Sequence, residues 1–216
     1  MSVITDFWSM YGSQIIEAIG PHLYMTGIAL VLGIVVALPL GIILTRFPRF
    51  AAPVITAVSV FQTIPSLVFF ALVIPFLGIG TQPAIAVLCL YSLLPILRNT
   101  YIGLRSVDAS LIDAARGQGM TSWEILTMVE LPLAAPIIVT GIRLAATYLV
   151  SWATLAALIG AGGLGNLIFA GISSYDPNML MAGAIPAAVL ALVIGFIFGL
   201  VRRLVTPRGL KMEVRN

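Results

Sequence analysis

The chain has 216 residues, of which 60% are hydrophobic and only 9% are charged, and its mean hydropathy is +1.12. A soluble domain carries about 25% charged residues, so this composition excludes an ordinary soluble fold and predicts a surface covered largely by lipid. The net charge of +3 does not indicate nucleic-acid binding, because the basic residues stand at the ends of apolar stretches. The single cysteine, Cys89, excludes an intramolecular disulfide and argues against a cysteine-based metal site.

The first 21 residues carry Asp6 and Glu17 but no basic residue, which is not typical of a cleaved signal peptide. We predict that this segment is external and lies at the membrane interface, with its aromatic side chains at the level of the headgroups. A short sixth span within it remains open.

Long apolar stretches with few or no charges predict five membrane spans, at about 20 residues for each crossing. Their approximate ranges are 22–45, 53–77, 83–100, 133–159 and 179–201. The glycines and proline of residues 78–83 predict a tight turn between the second and third spans. Residues 101–130 contain six charged side chains among apolar ones, which indicates an amphipathic segment rather than a span.

The basic residues are segregated along the chain. If residues 101–130 are cytoplasmic, the arginines that flank the spans fall on the same side, and the other side keeps only acidic residues. The sequence therefore predicts an all-α polytopic membrane protein, a single domain over residues 1–216, with its N-terminus outside and its C-terminus inside. Residues 202–216 would form a basic cytoplasmic tail.

The sequence shows no energy source. Lys211 is its only lysine, so there is no Gly-rich loop followed by Lys and Ser or Thr to hold ATP. None of the predicted spans contains the carboxylate that ion-coupled carriers commonly use, although backbone carbonyls can also bind sodium. We interpret His22, at the start of a span, as an interfacial residue rather than a metal ligand, and we predict no metal or cofactor in this chain.

One motif lies in the amphipathic segment. Asp113-Ala114-Ala115 is followed after three residues by Gly119, and after nine more by the run 129–132, Val-Glu-Leu-Pro. This arrangement closely resembles the EAA signature of the permeases of ATP-binding-cassette (ABC) importers, with Asp113 in place of Glu and Val in place of Ile. By this resemblance the residues that contact the ATPase are Asp113, Ala114, Ala115, Gly119, Val129, Leu131 and Pro132, within a cytoplasmic coupling segment of residues 105–131.

The local chemistry of the coupling segment fits two short helices. Asp108 or Ser110 is placed to cap the first, and Gly119 allows a sharp turn after it. Thr121 or Ser122 would cap the second. We expect the second helix to end at Leu131-Pro132, where the next span starts. The alternative is an amphipathic connector that only lies on the membrane.

The resemblance extends over residues 20–205 and is to small type I importer permeases. The stretches 62–104 and 141–165 most resemble the glycine betaine, carnitine and choline osmoprotectant permeases. A methionine-like amino acid permease remains an alternative, as does a passive channel or ion-coupled carrier. The resemblance implies a second permease subunit, identical or paralogous, two ATPase subunits that bind ATP and Mg, and a separate substrate-binding protein. It also implies the cytoplasmic (inner) membrane of a bacterium or archaeon.

Seven residues are candidates for lining a pathway. Four of them, within residues 62–66, interrupt the second span with polar groups and a proline. Either a kink that lines the pathway or a kink that serves packing would explain them. The other three are aromatic, and could offer cation–π surface to a quaternary ammonium or serve only for packing. The candidates are Gln62, Thr63, Pro65, Ser66, Tyr91, Tyr148 and Trp152.

Two further features stand near the predicted membrane surfaces. The glycine-rich stretch 160–165 either ends a helix as a flexible loop or forms an outer gate or binding-protein contact through Gly162, Gly163 and Gly165. Arg143 lies two to three turns inside the fourth span. We expect its side chain to snorkel to the cytoplasmic surface or to form a structural pair rather than to bind the solute, because its charge would repel a quaternary amine.

Overall fold

The computed structural model describes residues 2–207, and this part of the chain is almost entirely helical. Besides its α-helices it contains a 3-10 turn at residues 155–159. The α-helices are α1 (Ser2–Arg46), α2 (Pro48–Thr63), α3 (Ser66–Leu77), α4 (Thr81–Arg105), α5 (Ala109–Gly117), α6 (Ser122–Glu124), α7 (Leu131–Ala153), α8 (Leu164–Ser174) and α9 (Pro177–Val205). A π-helical stretch, Ile125–Glu130, joins α6 to α7.

The body of the fold is a bundle of long helices in which α4 packs on both α1 and α7, α1 and α7 also contact each other, and α9 packs on α7. Small residues allow these helices to approach each other. A Cβ added at Gly41 of α1 would lie 2.7 Å from the Cβ of Thr100 in α4, and one at Gly141 of α7 would lie 2.6 Å from the carbonyl oxygen of Pro95. Such positions are typical of membrane helix interfaces, where packing rather than water exclusion drives association.

Helix α1 corrects the expectation for the N-terminus. It is a single helix of 45 residues, so residues 2–21 form neither a separate helix nor a separate sixth span, while their external position remains a prediction. Its first half packs on α8 and α9 through Tyr11, Ile15, Leu167 and Ala182. At 1.5 Å per residue the helix is about 67 Å long, more than twice the hydrocarbon thickness.

The second predicted span is broken. Helices α2 and α3 meet at an angle of 95°, because Ile64 and Pro65 both have extended backbone conformations. Proline disfavours helical geometry in the residue before it and cannot donate to the preceding turn. Residues 53–77 are therefore not one continuous helix, although the pair together is apolar enough to cross a membrane as a single broken span.

The fourth predicted span also differs from the expectation. The helix that contains it begins earlier, at Ser122. The second helix of the coupling segment therefore does not end at Leu131-Pro132, as expected, but continues without a break into the span. The span also ends earlier, at Ala153, where the 3-10 turn Leu155–Ile159 follows. The short helix α8, between the glycine-rich stretch and α9, was not predicted at all.

The structure has four helices long and apolar enough to span a membrane, or five if α2 and α3 count as one. The predicted all-α polytopic fold is thereby confirmed, whereas the orientation of the termini remains a prediction. Arg202 and Arg203 belong to the last turns of α9 rather than to a tail. Residues 208–216 of the predicted tail lie outside the described residues.

Candidate coupling site and membrane pathway

Helix α5 of the coupling segment is capped at both ends. The Asp108 side chain accepts from the backbone N–H of Ser110 at 2.8 Å, and this hydrogen bond lowers the pKa of Asp108 below its usual value. At the other end Gly119 has φ +82°, Gly119 N–H donates to Arg116 O, and Met120 N–H donates to Ala115 O. These are the bonds of a Schellman motif, and the left-handed residue it needs favours glycine. The predicted turn at Gly119 is therefore confirmed.

The second helix of the segment starts with a capping box. Thr121 accepts from the backbone N–H of Glu124, and the Glu124 carboxylate accepts from Thr121 N–H at 2.7 Å. This second bond lowers the pKa of Glu124, which therefore stays ionised at neutral pH. Of the two caps predicted from the sequence, Thr121 is the correct one.

A π-helical stretch lets this helix continue through Pro132. In an α-helix the ring of Pro132 would clash with the carbonyl of Met128, and that carbonyl would lose its donor. The N–H of Leu131 instead donates to Leu126 O, five residues back. The wider turn accommodates the proline, so that α6, the π-helical stretch and α7 form one continuous rod.

The seven motif residues occupy three different environments. A groove between α5 and the start of α7 is lined by Ala114, Ala115, Val129 and Pro132. Asp113 lies outside it with a side chain that is 70% exposed, and pairs with Arg116 at 3.2 Å. Gly119 is exposed at the turn and Leu131 is half-buried against the helical body. The motif therefore presents a shallow apolar groove beside an exposed acid and an exposed turn.

One ion pair fastens the coupling segment to α1. Arg46, the last residue of α1, donates through Nη1 to Oε1 of Glu130 at 3.0 Å and through Nη2 to Oε2. Glu130 is 5% exposed, whereas the side chain of Arg46 is 44% exposed. Bidentate pairing of this kind fixes orientation as well as distance. A movement of the coupling segment must therefore carry the end of α1 with it or break this pair.

One candidate at the break of the second span, Gln62, is hydrogen-bonded to α4. Gln62 donates to the carbonyl of Tyr91 at 3.0 Å, and the Tyr91 hydroxyl donates to the carbonyl of Ile64 at 2.7 Å. The Tyr91 hydroxyl thus partners the Ile64 carbonyl, which the helix break leaves without an intrahelical donor. Thr63 is bonded to its own helix at Val60 O, Pro65 is exposed, and Ser66 is half-buried.

The structure brings the three aromatic candidates together. The ring of Trp152 lies 4.6 Å from Tyr91 and 5.3 Å from Tyr148, between ring centroids. Phe69 contacts Tyr91 edge-on and stacks on Phe61. These five rings form a continuous aromatic row. Tyr91 is buried, but Tyr148 is 41% exposed and Trp152 is half-buried. The row thus begins in the helical core and reaches the surface of α7.

The glycine-rich stretch closes the end of the fold opposite the coupling segment. Gly163 and Gly165 are buried and Gly162 is partly exposed. A Cβ at Gly165 would collide with the backbone of Thr154, and one at Gly163 would lie 3.0 Å from Nδ1 of His22. These glycines therefore permit close packing, and a gate or docking role for them remains a prediction.

His22 corrects a second expectation. It is fully buried, with Nε2 3.1 Å from the carbonyl oxygen of Val150, so its side chain faces the protein interior and not the headgroups. No group of three metal-ligating side chains occurs within the described range 2–207.

Several structural residues were missed by the sequence analysis. The sequence analysis did not predict the Arg46–Glu130 pair. The opposite charges of these residues, each at the end of an apolar stretch, could have suggested it. Another missed contact is the hydrogen bond from the Tyr11 hydroxyl to Asp176 at 2.6 Å, across 165 positions of the chain. This bond is the largest cause of a lowered pKa for Asp176. No local pattern predicts a contact of that range.

The fold is that of a polytopic helical membrane protein with two short helices between two of its membrane-spanning helices. The family of binding-protein-dependent transport system inner membrane components matches residues 29–210, and this chain belongs to it. It is 49% identical to the carnitine transport permease protein OpuCB of Listeria monocytogenes, over 98% of this chain and 97% of that protein. It is 47% identical, with the same coverage, to the glycine betaine/carnitine/choline transport system permease protein OpuCB of Bacillus subtilis.

A solved structure with a similar fold is the MetNI methionine ABC transporter in an inward-facing conformation. Its TM-score is 0.82 at 26% identity, covering 89% of this chain and 96% of that one. Fold and family together identify this chain as a permease subunit of an ABC importer, and as an integral membrane protein that is not itself an enzyme.

Proposed function

We propose that this chain forms part of the translocation pathway for a quaternary-amine osmoprotectant such as glycine betaine, carnitine or choline. Support comes from two relatives that are named for these solutes and are nearly half identical over almost the whole chain. The methionine transporter is less similar at 26% identity. An amino acid permease is accordingly the weaker candidate, and a passive channel or ion-coupled carrier is disfavoured by the family to which the chain belongs.

The aromatic row supports this choice of solute. A quaternary ammonium binds to the faces of Trp and Tyr within about 6 Å of the ring centroid. Trp152 and Tyr148 lie side by side, 5.3 Å apart, where the row reaches the surface of α7. We propose that these two rings meet the solute during its passage. Replacing Tyr148 by Leu should lower betaine uptake, whereas Tyr148→Phe, which keeps a ring, should preserve it.

A separate ATPase subunit would drive the transport. The observation that carries this proposal is the exposed turn at Gly119, which lies beside the groove of the motif and directly before the rod that runs on into α7. We propose that one ATPase subunit docks on the coupling segment of each of two permease subunits, and that a separate binding protein delivers solute at the opposite end. Closure of the ATPases around ATP would move the rod and open the pathway outward.

The test compares two substitutions of the same type at opposite ends of the fold. Gly119 and Gly78 have φ angles of +82° and +77°, and an added Cβ would meet nothing within 4 Å at either. Gly119→Asp and Gly78→Asp therefore each place a charged side chain at a positive φ in open space, and Gly78, with ψ −159°, is the more strained of the two and thus a demanding control. We would purify each variant from its native membrane in mild detergent, measure the co-purified ATPase, and measure uptake of labelled betaine in cells.

The expected result is that Gly119→Asp loses the ATPase or its coupling to uptake, while Gly78→Asp keeps both. Equal behaviour of the two variants, or a wild type that carries solute without any ATPase, would contradict ATPase coupling through this segment. Uptake that methionine inhibits and betaine does not would instead contradict the solute class.

A further inference from the structure

Three arginines line one groove between α7 and α9. Arg143 extends from α7, and Arg202 and Arg203 stand in the last turns of α9. The groove lies at the coupling-segment end of the molecule, since Pro207, just beyond α9, lines the groove of the motif. Three like charges around one cavity repel one another unless an anion lies between them.

None of these arginines has an acidic partner within the part of the chain whose side chains the structure describes, residues 5–207. The only ion pairs among residues 5–207 are Arg46–Glu130 and Arg116–Asp113. Arg143 lies well inside a helix that crosses the membrane, where an unpaired charge costs free energy unless it reaches water, a headgroup or a counter-ion. The predicted snorkelling of Arg143 thus ends in a basic groove and not in an ion pair.

Two glycines of α9 provide the space. A Cβ added at Gly199 would lie 3.6 Å from Nη1 of Arg143, and one at Gly195 would lie 3.9 Å from its Nη2. The guanidinium group therefore rests on a stretch of helix without side chains. Its donors are left free for a ligand that fits their fork, which phosphate oxygens do.

The surroundings of the groove are apolar and face outward. Phe196 and Leu200 line the groove itself and are exposed, and only 6% of the most apolar part of α9 is buried. A ligand bound here would meet hydrocarbon-like surface next to the arginines. That combination fits a molecule with an anionic head and acyl chains.

We propose that this groove binds the phosphate headgroup of an anionic phospholipid, between Arg143 of α7 and Arg202 and Arg203 of α9. The headgroup lies in the leaflet on the coupling-segment side, and the acyl chains follow Phe196 along α9. The bound lipid bridges the helix that continues from the coupling segment and the last helix of the chain. This site is separate from the aromatic row and does not depend on the identity of the solute.

The experiment is a lipid titration of the protein purified with its bound subunits, followed by native mass spectrometry. The probes are phosphatidylglycerol and phosphatidylcholine with identical acyl chains. Wild type should prefer phosphatidylglycerol. Arg143→Gln and Arg203→Gln should each lower the affinity for phosphatidylglycerol about fivefold, with little change for phosphatidylcholine. The exposed position of Arg203 in a final helical turn makes its replacement compatible with folding.

Two control variants separate a built site from general attraction. Arg105→Gln removes one positive charge outside the groove, at the end of α4, and should leave lipid binding unchanged. Gly199→Leu keeps every charge but fills the space beside the guanidinium group, and should abolish the preference for phosphatidylglycerol.

Three results would overturn the proposal. If Arg143→Gln and Arg105→Gln lowered the affinity for phosphatidylglycerol equally, the lipid would be held by unspecific charge attraction. Displacement of the lipid by millimolar inorganic phosphate would assign the groove to a soluble anion. Glu213 is the one acidic residue outside the described range, and a preference that appears only in Glu213→Gln would show that the chain's own carboxylate occupies the groove.

Discussion

The two ends of the helical body are held together by different interactions. At the coupling-segment end, short helices are fixed by side-chain caps and one bidentate ion pair, and their outer surface stays exposed. At the opposite end, a 3-10 turn and α8 are fixed by glycines that bring backbone into contact with backbone. The first end keeps a surface free for a partner, whereas the second is closed by its own packing.

This difference indicates how each end can respond to movement. Side-chain contacts at the coupling-segment end can break and re-form while the helices stay intact. Backbone contacts at the opposite end leave no room for a shift without unfolding. We expect substitutions at the coupling-segment end to impair coupling but not folding, and substitutions of the closely packed glycines at the opposite end, such as Gly165 and Gly183, to impair folding.

The largest effect on stability is expected at Gly165. A methyl group there would collide with the Thr154 backbone, which cannot move away as a side chain could. Gly165→Ala should lower the free energy of unfolding by about 3 kcal/mol or more. Its control is Gly117→Ala at the coupling-segment end, where an added Cβ meets nothing within 4 Å and the residue is helical. Thermal unfolding in detergent would measure both, and equal melting temperatures would contradict the comparison.

The next effect is expected at the Arg46–Glu130 pair. Arg46→Met leaves the buried Glu130 carboxylate without its donor and should cost about 1–3 kcal/mol. A double-mutant cycle with Glu130→Gln would isolate the interaction. The exposed Arg116–Asp113 pair is the matched control, for which about 0–1 kcal/mol is expected. A cycle that gives the same small value for both pairs would show that Glu130 does not fasten the segment to α1.

A smaller effect should follow from loss of the second cap. Thr121→Ala removes the oxygen that accepts from Glu124 N–H and should cost about 1 kcal/mol. Because this helix runs on into α7, the loss should stay local to its first turn. Hydrogen exchange of residues 122–126 should become faster, with little change in the melting temperature. If uptake became slower while hydrogen exchange of residues 122–126 stayed unchanged, Thr121 would not act through its helix cap.

The smallest effect concerns Tyr11 and Asp176 at the opposite end. The Tyr11 hydrogen bond lowers the pKa of Asp176 in the folded protein, so its contribution is present above the unfolded value of about 4 and is lost as the pH falls through the lower folded value. Tyr11→Phe should shrink the change in melting temperature between pH 6 and pH 3 by a degree or two. Tyr24→Phe, an exposed tyrosine on the same helix, is the control. An unchanged pH profile in Tyr11→Phe would refute the link.

The sequence by itself determined the features that depend on neighbouring residues. The lengths of the apolar stretches specified a polytopic helical protein, and the spacing of the motif residues between Asp113 and Pro132 specified the family. The cap at Thr121 and the turn at Gly119 follow from local hydrogen bonding and backbone sterics, so they could be predicted correctly.

Only the tertiary structure decided the features that depend on distant contacts. Pro65 breaks its helix where Tyr91 of α4 provides a hydrogen bond to the exposed carbonyl, whereas Pro132 is accommodated by a π-helical turn. His22 is buried because the glycine-rich stretch folds back onto α1. Glu130 became a buried partner of Arg46 because α1 ends beside it. Each outcome depends on which groups from other helices arrive within a few ångströms, and no local pattern contains that information.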